Sequence, residues 1–424
     1  MIDIILSLSI ILFAAAFFAA FPYAGVIVLI GLSGIERWNI EGFGLSLPLN
    51  EWALAAFLLG AMLRKAAGPN EKGDESFLPL LLIAISGFSS CLFSLHSGLA
   101  IQEAFRSAGY IGAAYGVALI LSHSNRLTWA LCAAYAAGIL AAFAAIFQLA
   151  KFSSDPFPVN GGFSNENYYS AATAFLLPFF LYESKQKQKT WQANGWIIVF
   201  YTLLFLALTA KSRSGAAAIL LMLLLTYLAG LLDKKYAVWL LPVFIVGVLV
   251  FGRGLWGGSL SERTGRWLSN PFFQERLYNG YFALTAFIQH PIFGVGAGGF
   301  DDYARWAFPD YALSVSPGFS SPLIILAERG LAGGLAFTWL AVRLAASVSS
   351  LSRQTGEGIA HRAMLASLLV MAAASLMNAL HTHLFTWCWI GILLQFPQKL
   401  AAPFSGKITE SPSTKNKIVG QLRD

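Results

Sequence analysis

The sequence predicts an all-α, polytopic membrane helical bundle of about twelve transmembrane helices, with a long external loop that carries an amphipathic helix. Three observations predict it. Of 424 residues, 57% are hydrophobic and only 12% charged, where an ordinary soluble domain has roughly 25% charged. A water-soluble fold of this makeup would expose large apolar patches and aggregate. The apolar residues also run on in long unbroken stretches, without the alternating code of a barrel strand. In lipid the backbone must satisfy its own hydrogen bonds, so such stretches are helices. Finally, Lys and Arg concentrate in alternate connections.

Taken in order, the apolar segments are residues 4–33, 50–65, 77–93, 107–122, 127–149, 168–182, 195–210, 213–232, 236–252, 322–345, 361–380 and 384–398. The first is longer than one span needs and contains Pro22, which predicts a kink or a re-entrant end. It lacks a basic leader and a small-residue cleavage site, and reads as an uncleaved span. The resulting division is residues 1–252 with nine spans, 253–321 as a long outside loop, 322–398 with three spans, and 399–424 as a polar, disordered tail.

Basic residues set the orientation, since cytoplasmic connections carry the excess of Lys and Arg. With the N-terminus in the cytoplasm, the inside connections hold Arg64, Lys65, Lys72, Arg126, Lys185, Lys187, Lys189, Lys234, Lys235, Arg343, Arg353 and Arg362. The short outside connections hold only Arg37, Arg106, Lys151, Lys211 and Arg213. Both termini then lie in the cytoplasm. The net charge of +7 follows from these short loops and implies no nucleic-acid partner. Cys91, Cys132 and Cys388 sit inside apolar runs, with neither metal spacing nor a disulfide framework, and read as buried thiols.

The loop after residue 252 is long enough to be functional. Within it Phe273, Leu277, Tyr281, Leu284 and Ile288 recur at helical spacing, opposite Gln274, Glu275, Asn279 and Gln289. This predicts an amphipathic helix on the membrane surface or packed over the spans.

Five places could carry chemistry. In TAKSRSG, Lys211 and Arg213 are either interfacial anchors or an anion site, with Ser212, Ser214 and Gly215 letting a phosphate approach a helix start. In GGFSNENYYS, Asn165 is a candidate helix cap, and Asn165 and Asn167 are candidate contacts to a sugar or headgroup. In RLYNGYFALTAFIQHPIFGVGAGGF, Arg276 adds a second external arginine. His290 ends the helix there, and Gly294, Gly296, Gly298 and Gly299 supply a turn tolerant of positive φ. In LAERGLAGG, Glu328 is either a structural partner of Arg329 or a carboxylate that orders the site arginines or takes a proton. In LHTHL, His381 and His383 are two interfacial histidines or a proton acceptor. His-x-His supplies no convincing third ligand, so no metal is expected.

Four of these segments, in the chain order GGFSNENYYS, TAKSRSG, RLYNGYFALTAFIQHPIFGVGAGGF and LAERGLAGG between about residues 160 and 340, resemble the O-antigen ligase and O-antigen polymerase superfamily. The resemblance implies a metal-independent, membrane-embedded glycosyltransferase. It would move a glycan from an undecaprenyl diphosphate carrier to lipid A core, to a second carrier-linked repeat or to a protein. The family's external arginines bind the carrier diphosphate, a role that would fall to Arg213 and Arg276, with the long loop closing over the site. One departure stands out. The family's His-Asn pair, nine residues before the Glu of A-E-x-G, is replaced by Phe319 and Ser320. His381, His383, His290 and Asp310 are candidate substitutes for that histidine. A flippase of lipid-linked glycans is the alternative from another class. It would place ionisable residues near mid-membrane, whereas these charges collect at one face.

Overall fold

The computed structural model describes residues 2–36, 39–42, 45–67, 77–121, 126–151, 160–161, 163–186, 190–210, 212–238, 240, 271–309, 320–354 and 358–400. The expected ninth span falls mostly outside these residues, as do the first part of the long loop, Lys211, Asp310, Phe319 and nearly all of the tail.

Helices dominate. The chain opens with α1 (Ile2–Ala20) and α2 (Pro22–Leu32). The overlong first segment is thus two helices, broken where Phe21 adopts φ −122° and ψ 69° and Pro22 takes the first helical position. Proline is tolerated there because that N–H has no helical partner anyway. Two short strands follow, β1 (Asn39–Gly42) and β2 (Leu45–Pro48), antiparallel with Asn39 opposite Pro48 and Gly42 opposite Leu45. They form a small ribbon in a connection that had read as a plain loop, and the fold stays helical.

Next come α3 (Leu49–Ala67), α4 (Phe77–Ser90), a 3-10 turn at Cys91–Phe93, α5 (Ser97–Leu121) and α6 (Arg126–Lys151). The expected span 107–122 therefore starts ten residues early, and Arg106 lies within a helix instead of a connection. Then follow α7 (Glu166–Gln186), α8 (Thr190–Thr209), α9 (Arg213–Leu228) and the short α10 (Lys234–Ala237). The last group is α11 (Pro271–Gln289), α12 (Phe300–Ala307), α13 (Ser321–Gln354), α14 (Gly358–Met377) and α15 (Leu384–Leu400).

Helix α7 is the axis of the bundle. Every residue from Tyr169 to Tyr182 is buried, as expected of a helix apolar on all sides and surrounded by others. Its rings, Phe175 and Phe179, pack on Phe385 and Trp389 of α15. Outside this core, Phe13, Phe105, Phe143, Ile198, Leu335 and Val342 point outward and are exposed. In water such a belt would be a liability; against lipid it is the expected surface. Among the described residues, four helices are long and apolar enough to cross a membrane: Ser97–Leu121, Thr190–Thr209, Ser321–Ser349 and Gly358–Met377. Shorter apolar helices accompany them, and the chain is a membrane protein.

The bundle has two chemically different ends. At one end Lys185 donates to Asp233, and Arg362 donates to the Ala229 carbonyl at 2.6 Å. The other end, roughly 30 Å away along α7 at 1.5 Å per residue, gathers Asn160, Asn167, Asn378, His381 and His383, all buried or half-buried.

Helix α11 forms as its periodicity predicts. Its buried face is Asn279, Phe282, Ala283 and Ala286, packed with Ile324 and Ala327 of α13. The apolar stripe Leu277, Tyr281, Leu284 and Ile288 faces away from the protein and is exposed. Asn279, assigned by sequence to the polar outer face, is instead fully buried. Of the three thiols, Cys91 and Cys388 are buried as expected, while Cys132 is exposed.

Candidate active site

The site begins with a break in α13. At Gly330 the backbone turns to φ 59° and ψ −156°, so the helix is interrupted one turn from Ala327. Carbonyls and N–H groups freed by the break are taken up by the glycine-rich segment before α12. Val295 donates to the Ala327 carbonyl at 2.9 Å and Gly296 to that of Glu328 at 3.1 Å. On the far side of the break, Leu331 and Ala332 donate to the carbonyls of Pro291 and Ile292 at 2.8 and 3.1 Å. The approach is close: a Cβ on Gly294 would lie 2.3 Å from the Glu328 carbonyl carbon. Gly294, Gly296 and Gly298 take positive φ (70°, 106° and 67°), as the sequence suggested. Gly299 does not; it caps α12 with φ −86°.

This docking places Glu328 and Arg329 at a cavity of about 350 Å³. Glu103, Arg106, Ser107 and Tyr110 of α5 line it, with Ser164, Tyr168, Gly298, Asp301, Glu328, Arg329, His381 and His383. The Glu328 carboxylate accepts from the Gly298 N–H. Arg329 does not close on Glu328. It donates to the Ile83 carbonyl at 3.1 Å and to Ser107 Oγ at 2.6 Å, over the Phe337 ring at 5.9 Å. Its Nε is buried without a partner. A guanidinium with neutral partners keeps its charge available to an anion. Arg106, by contrast, is held by Glu51 at 2.9 Å and by Glu103.

The opposite wall is the turn between α14 and α15. His383 Nδ1 donates to Glu36 Oε1 at 2.6 Å, and Glu36 Oε2 accepts from the Ser164 N–H at 3.0 Å. Burial works against the Glu36 charge, but the His383 and Ser164 contacts outweigh it and hold this carboxyl below its ordinary range. His381 is buried, with Nδ1 unpartnered. Burial, with the Arg329 charge, pushes its imidazole down to about 3, so it stays neutral. Across the cavity, burial raises the Asp301 carboxyl against the pull of Arg305.

A second cluster flanks the cavity, where α7, α9 and α13 begin. Asn165 caps α7, its Oδ1 accepting from the Asn167 N–H at 2.7 Å. Asn167 Oδ1 accepts from Ser212 at 2.5 Å and Ser214 at 3.1 Å. Ser214 also donates to Asn378 Oδ1 at 3.2 Å, and Ser321 donates to the Asn378 carbonyl at 2.9 Å. Ser212 caps α9 by accepting from the Gly215 N–H. A Cβ on Gly215 would lie 2.1 Å from Ser170 Cβ, so that glycine serves close helix packing. Arg276 is exposed and donates to the Met377 carbonyl at 3.1 Å, beside this cluster, and its charge reaches Tyr168.

The sequence-derived residues therefore divide. Glu328, His381 and His383 meet at the cavity. Arg276 stands at its flank, and Arg213 opens α9 with its side chain outside the described residues. Asn165 and Asn167 make internal contacts. His290 packs edge-on to Tyr303 away from the cavity lining. Sequence reasoning missed Glu103, Arg106 and Arg329 as cavity residues, and Glu36 as the partner of His383. A buried acid 347 residues from its histidine leaves no local pattern. Glu103 and Arg106, three apart in a helix, were a signal that could have been read. Among the described residues, no group of three His, Cys, Asp or Glu is placed to hold a metal ion.

Residues 197–338 match the family model described as Wzy_C, O-antigen ligase. Over this segment the match supports a relationship to the O-antigen ligase and polymerase superfamily. The matched segment contains α9, α11, α12 and the broken part of α13, and so supplies one wall of the cavity. The histidine turn and Glu36 come from outside it. No curated protein matches the chain.

Proposed function

We propose that this protein transfers a glycan from an undecaprenyl diphosphate carrier to an acceptor at the periplasmic face of the bacterial inner membrane, without a metal. The observation that carries the reading is the convergence of Arg329, Glu328, His381 and His383 on one cavity in a membrane bundle of the O-antigen ligase family. The carrier diphosphate is a good leaving group, and preorganised guanidinium charge stabilises the negative charge that builds on it. Arg329 supplies such a charge inside the cavity, and Arg276 supplies it at the flank where the carrier enters. Arg213, the first residue of α9, is assigned the same task. Glu328 sets the orientation of the glycine-rich wall. A histidine of the 380–383 turn removes the acceptor proton, which contributes roughly 10²–10⁴-fold. A single displacement inverts the anomeric centre.

The acceptor is lipid A core, a second carrier-linked repeat or a protein. In this reading the Lys-rich end of the bundle and both termini are cytoplasmic, which puts the cavity outside. The test is transfer by purified protein given carrier-linked glycan and acceptor. Arg276→Ala and Arg213→Ala are expected to lose transfer by about a hundredfold or more while inserting normally. Full activity in both removes the diphosphate assignment. A protein that moves the carrier across vesicles but forms no glycosidic bond is a flippase instead.

A further inference from the structure

We infer that His383 is the base that activates the acceptor, and that Glu36 is the positioning residue that holds it. This inference rests on the glycan-transfer reading above. An ionised carboxylate only accepts, so the 2.6 Å contact places the proton on His383 Nδ1 and leaves the lone pair on Nε2. Glu36 cannot swing, because its second oxygen accepts from the Ser164 N–H. The Tyr168 ring lies 3.7 Å from the imidazole centroid and restricts its rotation. Two separate parts of the chain thus fix one ring.

The free end of that ring is the telling feature. His383 lines the cavity, is 9% exposed, and its Nε2 is buried with no hydrogen-bond partner. A buried polar atom left unpaired is costly, and in native proteins it asks for a function. An acceptor hydroxyl entering the cavity supplies the missing donor. His381, two residues earlier, lacks such an arrangement. No carboxylate orients it, its neighbour is the Phe337 ring, and burial leaves it a weak base.

In the transfer step the acceptor O–H gives its proton to Nε2, and its oxygen forms a bond to the anomeric carbon. The bond from that carbon to the carrier diphosphate breaks, and its electron pair leaves on the diphosphate. Glu36 offsets the charge of the imidazolium until the proton passes to water.

The experiment measures transfer kinetics of the purified full chain with carrier-linked glycan, for His383→Ala, His383→Gln, Glu36→Gln and Glu36→Asp. Expected are a roughly 10²–10⁴-fold fall in kcat for both His383 variants and about tenfold or more for Glu36→Gln, with donor KM within about threefold of wild type. Added imidazole restores transfer to His383→Ala, and Glu36→Asp recovers part of what Glu36→Gln loses. A merely structural role would move neither the rescue nor the split between kcat and KM. Wild-type kcat in His383→Gln and Glu36→Gln, with Arg276→Ala inactive, overturns the base assignment and leaves glycan transfer standing. A wild-type protein that forms no glycosidic bond overturns both.

Discussion

At the scale of single residues, the clearest consequence concerns His381. Its imidazole is held near 3 when folded, against an ordinary value of 6.5. Below pH 6.5 the unfolded chain takes up a proton that the folded one refuses, so folding stability falls as pH drops from about 6.5 towards 3. At pH 4.5 the loss is on the order of 2–3 kcal/mol, since each pH unit below the ordinary value costs roughly 1.4 kcal/mol. His381→Asn should flatten this limb, comparing thermal unfolding in detergent at about pH 7 and pH 4.5. Equal acid sensitivity in the two proteins would count against a buried neutral imidazole. The residue scale is also where sequence alone ran short. Types of residue were legible, because His, Arg and Glu in an apolar chain are conspicuous. Their partners were not. Arg329 sits beside Glu328 in the chain yet bonds Ile83 and Ser107, 246 and 222 residues away. Adjacent positions on a helix point in different directions, so sequence neighbours make poor guesses at contact.

At the scale of elements, periodicity served well where it described a helix and poorly where the chain departs from one. Helix α11 was legible because five apolar residues kept a helical step. Which face it buries was not, since in lipid an apolar stripe need not face the core. The β1–β2 ribbon was hidden because four-residue strands give too few alternations to distinguish from a loop. The interruption of α13 was equally hidden, as Gly330 stands among other helical glycines, Gly333 and Gly334. Its φ of 59° makes it distinct. Gly330→Ala would add a penalty of about 1–3 kcal/mol, because this backbone region is open essentially only to glycine. It would also put a Cβ 2.4 Å from the Ile292 carbonyl carbon. Together these should lower Tm by several degrees and undock the glycine-rich segment. Gly333→Ala, where the backbone is helical, tests a different crowding against Arg329 Cβ. A Gly330→Ala protein as stable as wild type would show that the interruption is dispensable.

At the scale of the whole molecule, composition and charge placement made the membrane bundle legible before any coordinates. They could not reveal that α5 begins before its apolar run, because a polar helix start supported by neighbouring helices looks like a connection. The separation of the two ends yields a labelling prediction. In a Cys132→Ser background, a cysteine at His96 should react with a membrane-impermeant maleimide added to the periplasm. A cysteine at Lys234 should react only after the membrane is opened. Both sites are exposed at opposite ends of the bundle. The reverse pattern would invert the molecule and remove the periplasmic assignment of the cavity.

The contact between Glu36 and His383 also bears on how such a chain is made. Synthesis delivers the acid first and the imidazole 347 residues later, a delay on the order of tens of seconds at typical ribosome speeds. Until the final hairpin enters the bilayer, the carboxylate waits without its mate. On the glycan-transfer reading, a nascent or truncated product that lacks the α14–α15 turn carries an incomplete centre.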